Sequence, residues 1–537
     1  MITKENASSL SGPLMSHRYD ANLTTAERKR HGVFYTPEMI THYLIAATNP
    51  QGPVADISCG DGAFLTAAAL RGVPVMGIDR DPQALALAET HLAHLPTHCR
   101  WLCLGDGLTP DLPWTPDVVV GNPPYLEAKK ADPALKARCR ALFPEIARGG
   151  FDAYIFFLKA GLHLLPHGGR LGYIIPNKFL VSDYARPLRE ELLATTTIEE
   201  IIDVSDIPTF RDAAVYPILL ILRKMAPTEG HRVRTGAVND LRQLEHSTFP
   251  DATIAQAVWR ETPRHIIWLP PAEPAARGIV DRLTRDPDAR RLGELLDLRW
   301  TISFHRRGLR DDFIFPSSTG RTPRPFLGGK RFNGNADVCR YRTAWSGWWI
   351  DYDEDRARTV GNQLPPWSLF SGPKLVIAQN ARRILATLDN DNFACKDTFL
   401  VGRLRDGASR LPHMLQDPAV SLIYLLGIVN SSLLSYLYSI LFKATHVGGA
   451  YLHYLACYLQ ELPIRLAPDM RPIASLVTRL LDPSLADDAR VETDAALDEL
   501  VFDLYALSPA ERLVVRSAVP YTWGEPGMRR GAWDARG

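Results

Sequence analysis

Cysteine is scarce in this sequence, and the net charge is close to zero. Seven cysteines are scattered over 537 residues, and Cys99 and Cys103, which are close together, have no second pair at zinc-finger spacing. A disulfide framework and a cysteine-rich zinc module are therefore not expected. The low cysteine content instead predicts a protein of the reducing cytoplasm. The 61 Lys and Arg residues balance 60 Asp and Glu residues, which excludes a supercharged tail but not a local basic face.

Long apolar runs are also rare. One uncharged run, Val420 to Phe442, has about the length of a bilayer span. Six polar residues would be left in lipid, so the run predicts a buried helix and no membrane partner. These residues are Ser421, Asn430, Ser431, Ser432, Ser435 and Ser439. The first twenty residues lack the apolar core of a secretory signal, which agrees with a cytoplasmic location.

Short β-type runs alternate with helical stretches between Val54 and Arg223, the pattern of a doubly wound α/β sheet. The predicted strands are Val54–Ser58, Val75–Asp79, Trp101–Leu104, Asp117–Gly121, Arg170–Ile175, Ile198–Val204 and Val215–Leu222. The predicted helices are Ala63–Leu70, Pro82–His91, Ala153–Leu165 and Pro187–Ala194. Parallel sheets of this kind bind ligands at the carboxyl ends of their strands.

Composition divides the rest of the chain into further segments. A flexible N-terminus (1–22) precedes the α/β domain (23–225), and a linker with a connecting helix follows (226–290). Residues 291–470 are aromatic and rich in Gly and Pro, which predicts a second domain of mixed α+β class. Residues 471–537 predict a helical, acidic tail.

Polar residues follow the first three predicted strands. The glycine turn Asp56–Gly62 joins a strand to a helix, and glycines there let the backbone approach a ligand closely. Asp79 ends the next strand, where a carboxylate accepts hydrogen bonds from ribose hydroxyls or, alternatively, caps a helix. Asp106 and Gly107 follow the third strand. Together these residues predict a nucleotide-like ligand.

The turn Asn122-Pro123-Pro124-Tyr125 directly follows the apolar predicted strand Asp117–Gly121. An exocyclic amine of adenine or cytosine is a poor nucleophile because its lone pair is delocalised into the ring. The Asn122 side-chain oxygen and the Pro123 carbonyl can accept its two N–H bonds and orient the lone pair. Tyr125 can stack on the base, which contributes about 1–3 kcal/mol. The turn therefore predicts methylation of such an amine.

With these motifs the chain resembles the gamma-class DNA amino-methyltransferases, in particular TaqI-like N6-adenine enzymes. The resemblance implies a Rossmann-like fold and S-adenosylmethionine as the cofactor. Catalytic roles are implied for Asn122, Pro123, Pro124, Tyr125 and, beside the flipped base, Phe210, for which a core position is the alternative. Cofactor contacts are implied for Tyr35, Thr36, Pro37, Asp56, Cys59, Gly60, Gly62, Asp79, Asp106, Gly107 and Asn122.

The resemblance extends to a C-terminal target-recognition domain. Ten basic and three acidic residues lie between Arg299 and Arg342, and arginine suits contacts with phosphate and guanine. The DNA-binding residues expected from this stretch are Arg306, Arg307, Arg310, Arg321, Arg324, Lys330 and Arg331. In the tail, nine acids face one arginine between Asp482 and Glu511, so we expect the tail to point away from DNA.

The expected function is methyl transfer to N6 of an adenine flipped from a specific double-stranded DNA sequence. It implies a bacterial or archaeal restriction-modification or phage-defence system, no metal, and a separate restriction endonuclease or other defence subunit as a possible partner. N4-cytosine methylation and methylation of RNA or protein glutamine remain open, as does a catalytically silent DNA-binding subunit. The basic stretch 126–150 predicts either a loop over the DNA or a solvated surface loop.

Overall fold

The computed structural model describes residues 36–126, 132–207, 216–304, 308–318, 320–328, 337–405, 418–448 and 451–519. For residues 418, 419 and 446–448 only the backbone is described. The chain divides into two compact units, Met1–Ala272 (unit 1) and Glu273–Gly537 (unit 2).

Nine strands among the described residues form one sheet in unit 1. They are β1 (Val54–Asp56), β2 (Val75–Asp79), β3 (Arg100–Leu104), β4 (Val118–Gly121), β5 (Arg170–Pro176), β6 (Thr197–Asp203), β7 (Pro217–Arg223), β8 (Arg232–Ala237) and β9 (Asp251–Ala255). Their spatial order is β3-β2-β1-β4-β5-β7-β6-β8-β9. Strands β1 to β5 pair in parallel, whereas β7 is antiparallel to both β5 and β6. The carboxyl ends of β3, β2, β1 and β4 therefore lie side by side.

The helices of unit 1 are α1 (Glu38–Thr48), α2 (Ala63–Ala69), α3 (Pro82–His91), α4 (Pro133–Leu142), α5 (Tyr154–Leu164), α6 (Arg186–Thr195), α7 (Arg242–Glu245) and α8 (Gln256–Glu261). Two of them share a start signal that is visible in the sequence, an aspartate followed by proline. Asp81 accepts hydrogen bonds from the first turn of α3, and Asp132 does so at α4. Proline fits the next position because its missing N–H has no partner there anyway.

The core of unit 1 lies where helices cover the sheet. Leu44 of α1 and Leu65 of α2 pack in one buried cluster with Val54, Val118 and Ile174 of strands β1, β4 and β5. Burial of apolar surface on this scale is the main stabilising contribution. This packing holds the carboxyl ends of β1 and β4 in place.

The predicted α/β class is confirmed, and the predicted strands and helices up to residue 223 match observed elements to within about three residues at each end. The structure differs from the predicted linker 226–290. Strands β8 and β9 extend the central sheet, with Val233 and Ile254 buried. Only every second residue of these strands is apolar, so the segment has the composition of a surface loop.

Unit 2 combines small sheets with helices. Its strands are β10 (Arg290–Arg291), β11 (Leu296–Trp300), β12 (Ile314–Phe315), β13 (Pro323–Leu327), β14 (Val338–Cys339), β15 (Arg342–Thr343), β16 (Trp349–Asp351), β17 (Lys374–Ala378), β18 (Asn380–Ala381), β19 (Ala386–Asp389), β20 (Ala394–Cys395), β21 (Phe399–Leu404), β22 (His446–Gly448), β23 (Tyr451–His453) and β24 (Pro463–Ile464). The two larger sheets have the orders β11-β21-β17-β19 and β12-β16-β13-β20. Both are mixtures of short, mostly antiparallel strands, as the Gly- and Pro-rich sequence predicts.

The helices of unit 2 are α9 (Pro274–Thr284), α10 (Leu292–Leu295), α11 (Glu354–Thr359), α12 (Pro418–Asn430), α13 (Ser432–Leu441), α14 (Ala456–Leu459), α15 (Arg471–Leu481), α16 (Asp487–Leu504) and α17 (Pro509–Ala518). The long apolar run is therefore not one helix but two, α12 and α13, which are bent by 58°. Ser431 causes the break, because its backbone is extended and its hydroxyl caps α13 at the Leu434 N–H.

Among the described residues, only that bent pair has the length and composition of a membrane span. Within the described part of the chain, no single helix combines the length and apolar character needed to cross a bilayer, while α12 and α13 together meet the length and composition criteria. Leu425, Leu433 and Tyr438 of this pair are all buried in the protein.

Two acids of the acidic helix α16 lie in the interior of unit 2. Asp494 and Asp498 are buried. Arg340, which belongs to the basic stretch expected to face DNA, is also buried and forms an ion pair with Asp494. Its guanidinium also donates to the carbonyl of Asn430, 2.6 Å away. The charge segregation in the sequence is thus partly a set of internal contacts in unit 2.

Candidate active site

The glycine turn after β1 is tied to the end of β2. Gly60 and Gly62 have φ angles of +53° and +82°, in the left-handed region that favours glycine. The Gly60 N–H donates to Asp79 Oδ2 at 2.8 Å, and the Cys59 N–H donates to the Ile78 carbonyl at 3.0 Å. The turn is therefore held in one conformation, and its glycines are required by that conformation.

Asp79 is half-buried, and both of its oxygens already accept backbone hydrogen bonds. The second bond comes from the Asp81 N–H to Oδ1, at 2.9 Å. Each carboxylate oxygen has two lone pairs, so these bonds leave capacity for ligand hydroxyls. Asp79 thus has a structural role in fixing the turn in addition to the ligand role expected from the sequence.

Asp56, at the end of β1, is 2% exposed. Its Oδ1 accepts the Ser58 N–H at 3.0 Å. Burial raises the pKa of its carboxyl to about 8, and the negative charges of Asp79 and Asp61 add to the shift. A side chain at Gly121 would collide with it, because a Cβ there would lie 2.8 Å from Asp56 Oδ1. Asp56 therefore packs directly beneath the start of the Asn122 turn.

Cys59 contributes backbone to the turn, whereas its thiol belongs to the core cluster of unit 1. Burial raises the pKa of the thiol well above its usual value. The cofactor contact predicted at Cys59 stays a prediction, and the thiol itself lies in the core.

Two arginines hold the carboxylate of Asp106. Arg80 Nη2 lies 2.6 Å and Arg138 Nε 2.7 Å from Asp106 Oδ2, while Oδ1 accepts the Leu108 N–H at 3.1 Å. Arg138 also donates to Thr109 Oγ1 at 2.8 Å. Arg138 lies on α4, so this part of the basic stretch 126–150 is a helix anchored to the sheet edge rather than a solvated loop.

Gly107 sits where the backbone comes closest to β1. A Cβ at this position would lie 1.8 Å from the Ile57 carbonyl oxygen and 3.0 Å from the ring of Phe157. No side chain fits such a gap. Only glycine therefore allows the loop after β3 to pack against the glycine turn.

Asn122 is connected to the other predicted cofactor motif. Its Nδ2 donates to Thr36 Oγ1 at 3.0 Å, and Thr36 is buried immediately before Pro37 and the first turn of α1. Because the amide nitrogen is the donor here, the amide oxygen has the acceptor role. Two motifs that are 86 residues apart in the sequence meet at this hydrogen bond.

Tyr125 is held by its hydroxyl and by its ring. The hydroxyl donates to the Ile174 carbonyl at 3.0 Å, and the ring packs edge-to-face with Tyr154 at a centroid distance of 6.3 Å. Burial raises the pKa of the Tyr125 phenol well above its ordinary value, so the hydroxyl remains a donor. Pro123 is buried and Pro124 half-buried in the same turn.

Some of the predicted site residues lie outside the described residues. These are Tyr35, Phe210, Arg306, Arg307, Lys330 and Arg331. The structure brings the other predicted cofactor and catalytic residues together at the carboxyl ends of β1, β2, β3 and β4.

The described DNA-binding candidates differ in exposure. The Arg321 side chain is 88% exposed, and Arg324 is exposed with its guanidinium 4.6 Å from the ring centre of Trp367. Arg310 is only 17% exposed and pairs with Asp311. Arg321 and Arg324 are therefore better placed than Arg310 to meet a phosphate.

Sequence reasoning missed the partners of the site residues. Arg80, Arg138 and Thr109 surround Asp106, and Ile174 accepts from Tyr125. Arg80 had a detectable signal, since it directly follows the strand that ends at Asp79. For the others the contact depends on chain segments that are far apart in the sequence.

Metal-ligating side chains are not clustered in the described residues, where no group of three or more His, Cys, Asp or Glu side chains could hold an ion.

Comparisons with known proteins place two segments of the chain in families. Residues 116–210 match the model of the Eco57I restriction-modification methylase, and residues 330–464 match that of the TaqI-like C-terminal specificity domain. The first segment contains the Asn122 turn. The second contains Arg340 and the whole apolar run from Val420 to Phe442.

Curated relatives are restriction-modification enzymes. The type II methyltransferase M.XhoI of Xanthomonas vasicola is 34% identical over 128 residues, which cover 24% of this chain and 23% of that protein. M.BanIII of Aneurinibacillus aneurinilyticus is 27% identical over 259 residues, which cover 42% of this chain and 44% of that protein. The matched part thus spans less than half of either relative.

Among solved structures, the cryo-EM structure of the DrdV–DNA complex aligns with 88% of this chain and 59% of that chain. The TM-score is 0.53 at 13% sequence identity, so the likeness concerns the fold alone. The resemblance expected from the sequence is confirmed for the two family segments. Two segments of the chain are therefore similar to known domains, residues 116–210 to an Eco57I-type restriction-modification methylase and residues 330–464 to a TaqI-like C-terminal specificity domain.

Proposed function

We propose that the protein is a DNA methyltransferase that transfers a methyl group from S-adenosylmethionine to N6 of an adenine flipped out of a specific double-stranded DNA sequence. The observation that carries this proposal is the hydrogen bond between Asn122 and Thr36 at 3.0 Å, at the sheet edge where Tyr125 is also fixed. It joins the amine-accepting turn to the motif expected to hold the methionine part of the cofactor.

The residues at this edge fit the cofactor. A Cβ added at Gly60 meets nothing within 4 Å, so the backbone of the turn faces open space that a ligand can approach. Asp79 is suited to the ribose hydroxyls, and Asp106, beside Gly107, to the adenine amine. S-adenosylmethionine supplies an electrophilic methyl group on a sulfonium centre when bound.

The residues of this chain orient the nucleophile. The oxygen of Asn122 and the Pro123 carbonyl accept the two N–H bonds of the target amine, which directs its lone pair away from them. Tyr125 stacks on the extruded base and offsets part of the few kcal/mol that extrusion costs. Proline at 123 suits this function because it presents a carbonyl without a competing N–H.

Unit 2, which contains the segment similar to a specificity domain, supports DNA as the substrate. Arg321 and Arg324 are exposed on this unit, and arginine is suited to bidentate contacts with phosphate or guanine. A place in a cytoplasmic restriction-modification or phage-defence system, with a separate endonuclease as partner, is consistent with the type II methyltransferases to which the chain is similar.

Sequencing with detection of modified bases tests the proposal. The genomic DNA of a methylation-deficient bacterial host that expresses the wild-type chain should carry N6-methyladenine at one short sequence, and DNA from the Asn122→Ala strain should not. N4-methylcytosine at the site would refute the choice of adenine. Unmodified DNA alongside methylated RNA or protein glutamine would refute DNA as the substrate.

A further inference from the structure

The side chain of Tyr125 contacts two other parts of unit 1, one through its hydroxyl and one through its ring. Its hydroxyl donates to Ile174 at the end of β5, and its ring meets Tyr154 at an interplanar angle of 77°. The next residue is also fixed, because the Leu126 carbonyl accepts the Ala153 N–H at 3.1 Å. Tyr125 is thus attached to the start of α5, where Asp152, Ala153 and Tyr154 lie.

Tyr154 in turn belongs to a chain of hydrogen bonds. Its hydroxyl lies 2.8 Å from that of Tyr184, and Tyr184 donates to Asp152 Oδ2 at 2.8 Å. The hydroxyl of a phenol has one hydrogen to donate. Since Tyr184 gives its hydrogen to the carboxylate, Tyr154 must donate to Tyr184, and the direction of the whole chain is fixed.

Placing hydroxyl groups in the interior beside Tyr125 costs free energy. Tyr154 is fully buried, and phenylalanine would fill the same volume without a polar atom. A buried hydroxyl costs free energy unless it is hydrogen-bonded, and a fully satisfied buried network instead specifies one arrangement. The hydrogen-bonded network therefore fixes the orientation of these tyrosine rings, which apolar packing alone would not do.

The rings transmit that orientation to the catalytic turn. Tyr184 meets Tyr154 at 6.4 Å and 75°, and Tyr154 meets Tyr125 at 6.3 Å and 77°. Tyr184 comes from the 3₁₀ turn Asp183–Ala185, between β5 and α6. Two elements that follow the catalytic turn in the sequence thus converge on its aromatic residue.

We propose that Asp152, Tyr154 and Tyr184 are positioning residues that fix the plane of the Tyr125 ring on which the target base stacks. This inference rests on the proposed function, because it assigns the base to Tyr125. Stacking requires a ring whose face is already set, and misplacement of a group at a reacting centre by about 1 Å can cost up to about 100-fold in rate.

The first experiment observes Tyr125 without any substrate. NMR of the full chain with ¹³C-labelled tyrosine rings is recorded for wild type and Tyr184→Phe, with the Tyr125 signal assigned from Tyr125→Phe. We expect Tyr184→Phe to shift and broaden the Tyr125 signal. An unchanged Tyr125 signal would overturn the proposal, whether or not the protein methylates DNA.

The matched control is Tyr43→Phe. Tyr43 donates to Glu200 Oε2 at 2.6 Å, so this variant also removes a buried bond between a tyrosine and a carboxylate in unit 1. It should leave the Tyr125 signal unchanged. If both variants broadened that signal equally, the effect would be general loosening of the fold and the positioning role would be wrong.

The second experiment measures turnover on a duplex that carries the target sequence. Tyr184→Phe should lower kcat about tenfold while the KM for the cofactor stays within about twofold of wild type. Asp152→Ala should behave similarly, whereas Asp152→Asn retains an acceptor oxygen and should retain most of the activity. Full activity of both Tyr184→Phe and Asp152→Ala would refute the role in catalysis.

The two experiments separate the two hypotheses. If wild type does not modify DNA, the proposed function fails while the NMR result still decides whether the network holds Tyr125. Should Tyr184→Phe fail to fold, the comparison of Asp152→Asn with Asp152→Ala decides both questions by the same two measurements.

Discussion

The two units bury carboxylates in opposite ways. In unit 1, Asp56 is buried at the sheet edge, where it accepts the Ser58 N–H and has the like-charged Asp61 and Asp79 near it. In unit 2, Asp494 is equally buried but forms an ion pair with Arg340. Lys374 and Asp389, which are fully buried, form a second ion pair there.

The difference reflects what each group is for. A buried carboxyl group near other carboxylates favours its neutral form, and groups perturbed in this way cluster at functional sites. A buried ion pair instead costs desolvation that its partner offsets, and it specifies which elements come together. In unit 2 the pair joins α16 to the segment between β14 and β15, whereas the carboxylates of unit 1 remain at the edge where we propose that the cofactor binds.

The largest effect should come from the catalytic turn of unit 1. Asn122→Ala removes the oxygen that orients the amine and should lower methyl transfer by roughly 10³-fold, the loss typical of one oriented hydrogen-bonding group at a reacting centre. Cofactor affinity, followed by calorimetry, should fall far less than the rate, because Asn122 is only one of the residues expected to contact the cofactor. Substantial remaining turnover would show that the polar edge of unit 1 is not the catalytic centre.

The buried ion pair of unit 2 should respond through stability. Arg340→Ala leaves Asp494 buried without its charge partner and should destabilise unit 2 by about 3–5 kcal/mol in urea unfolding. Arg321→Ala is the control, because that side chain is 88% exposed and should cost less than about 1 kcal/mol. Equal effects would remove the distinction between internal and external arginines.

Arginines of unit 2 that meet DNA should respond through affinity. Reversal of Arg306 and Arg307 to Glu should weaken DNA binding about tenfold at moderate salt and reduce the slope of log affinity against log salt by about two. Filter binding at several salt concentrations measures both quantities. An unchanged slope would move the DNA-binding surface to another part of the molecule.

A further effect concerns the pH dependence of stability in unit 1. Burial raises the pKa of Asp56 from 3.8 to about 8, so between these values the folded state holds a proton that the unfolded chain has lost. The contribution of this proton to the free energy of unfolding is complete below pH 4. It is lost as the pH rises to 8, at up to about 1.4 kcal/mol per pH unit.

Asp56→Asn should therefore flatten the fall in unfolding free energy between pH 5 and 7. The exposed Asp111→Asn serves as the control and should keep the wild-type slope. Identical slopes in wild type and Asp56→Asn would show that Asp56 titrates as an ordinary carboxyl, which would abolish the contrast between the units.

Local patterns predicted much of unit 1. Strand β4 is a short apolar run before Gly121, and an aspartate-proline pair starts α3. Patterns of this kind depend on neighbours in the chain, so they are visible without a fold. Strands β8 and β9 were missed because their half-buried alternation resembles polar loop sequence until a sheet is present to cover one face.

The break between α12 and α13 could not be predicted from hydropathy. The run is apolar on both sides of Ser431, and beside the Ser431 cap the start of α13 is held by Ser432, whose backbone N–H and hydroxyl donate to Asp498 at 2.9 and 2.5 Å. That partner lies 66 residues away in the sequence. Hydropathy reports that a segment is buried, and the polar contacts inside the fold decide its path.

The sequence by itself determined the α/β class, the glycine turn, the carboxylates after β2 and β3, and the Asn122 turn, because each is a short motif whose chemistry is local. Only the tertiary structure decided which of these groups meet. It placed Thr36 on Asn122, Arg138 on Asp106, and Arg340 inside unit 2 rather than on a basic surface. The physical reason is that a charge or hydrogen-bonding group acts over a few ångströms in space, a distance that sequence separation does not encode.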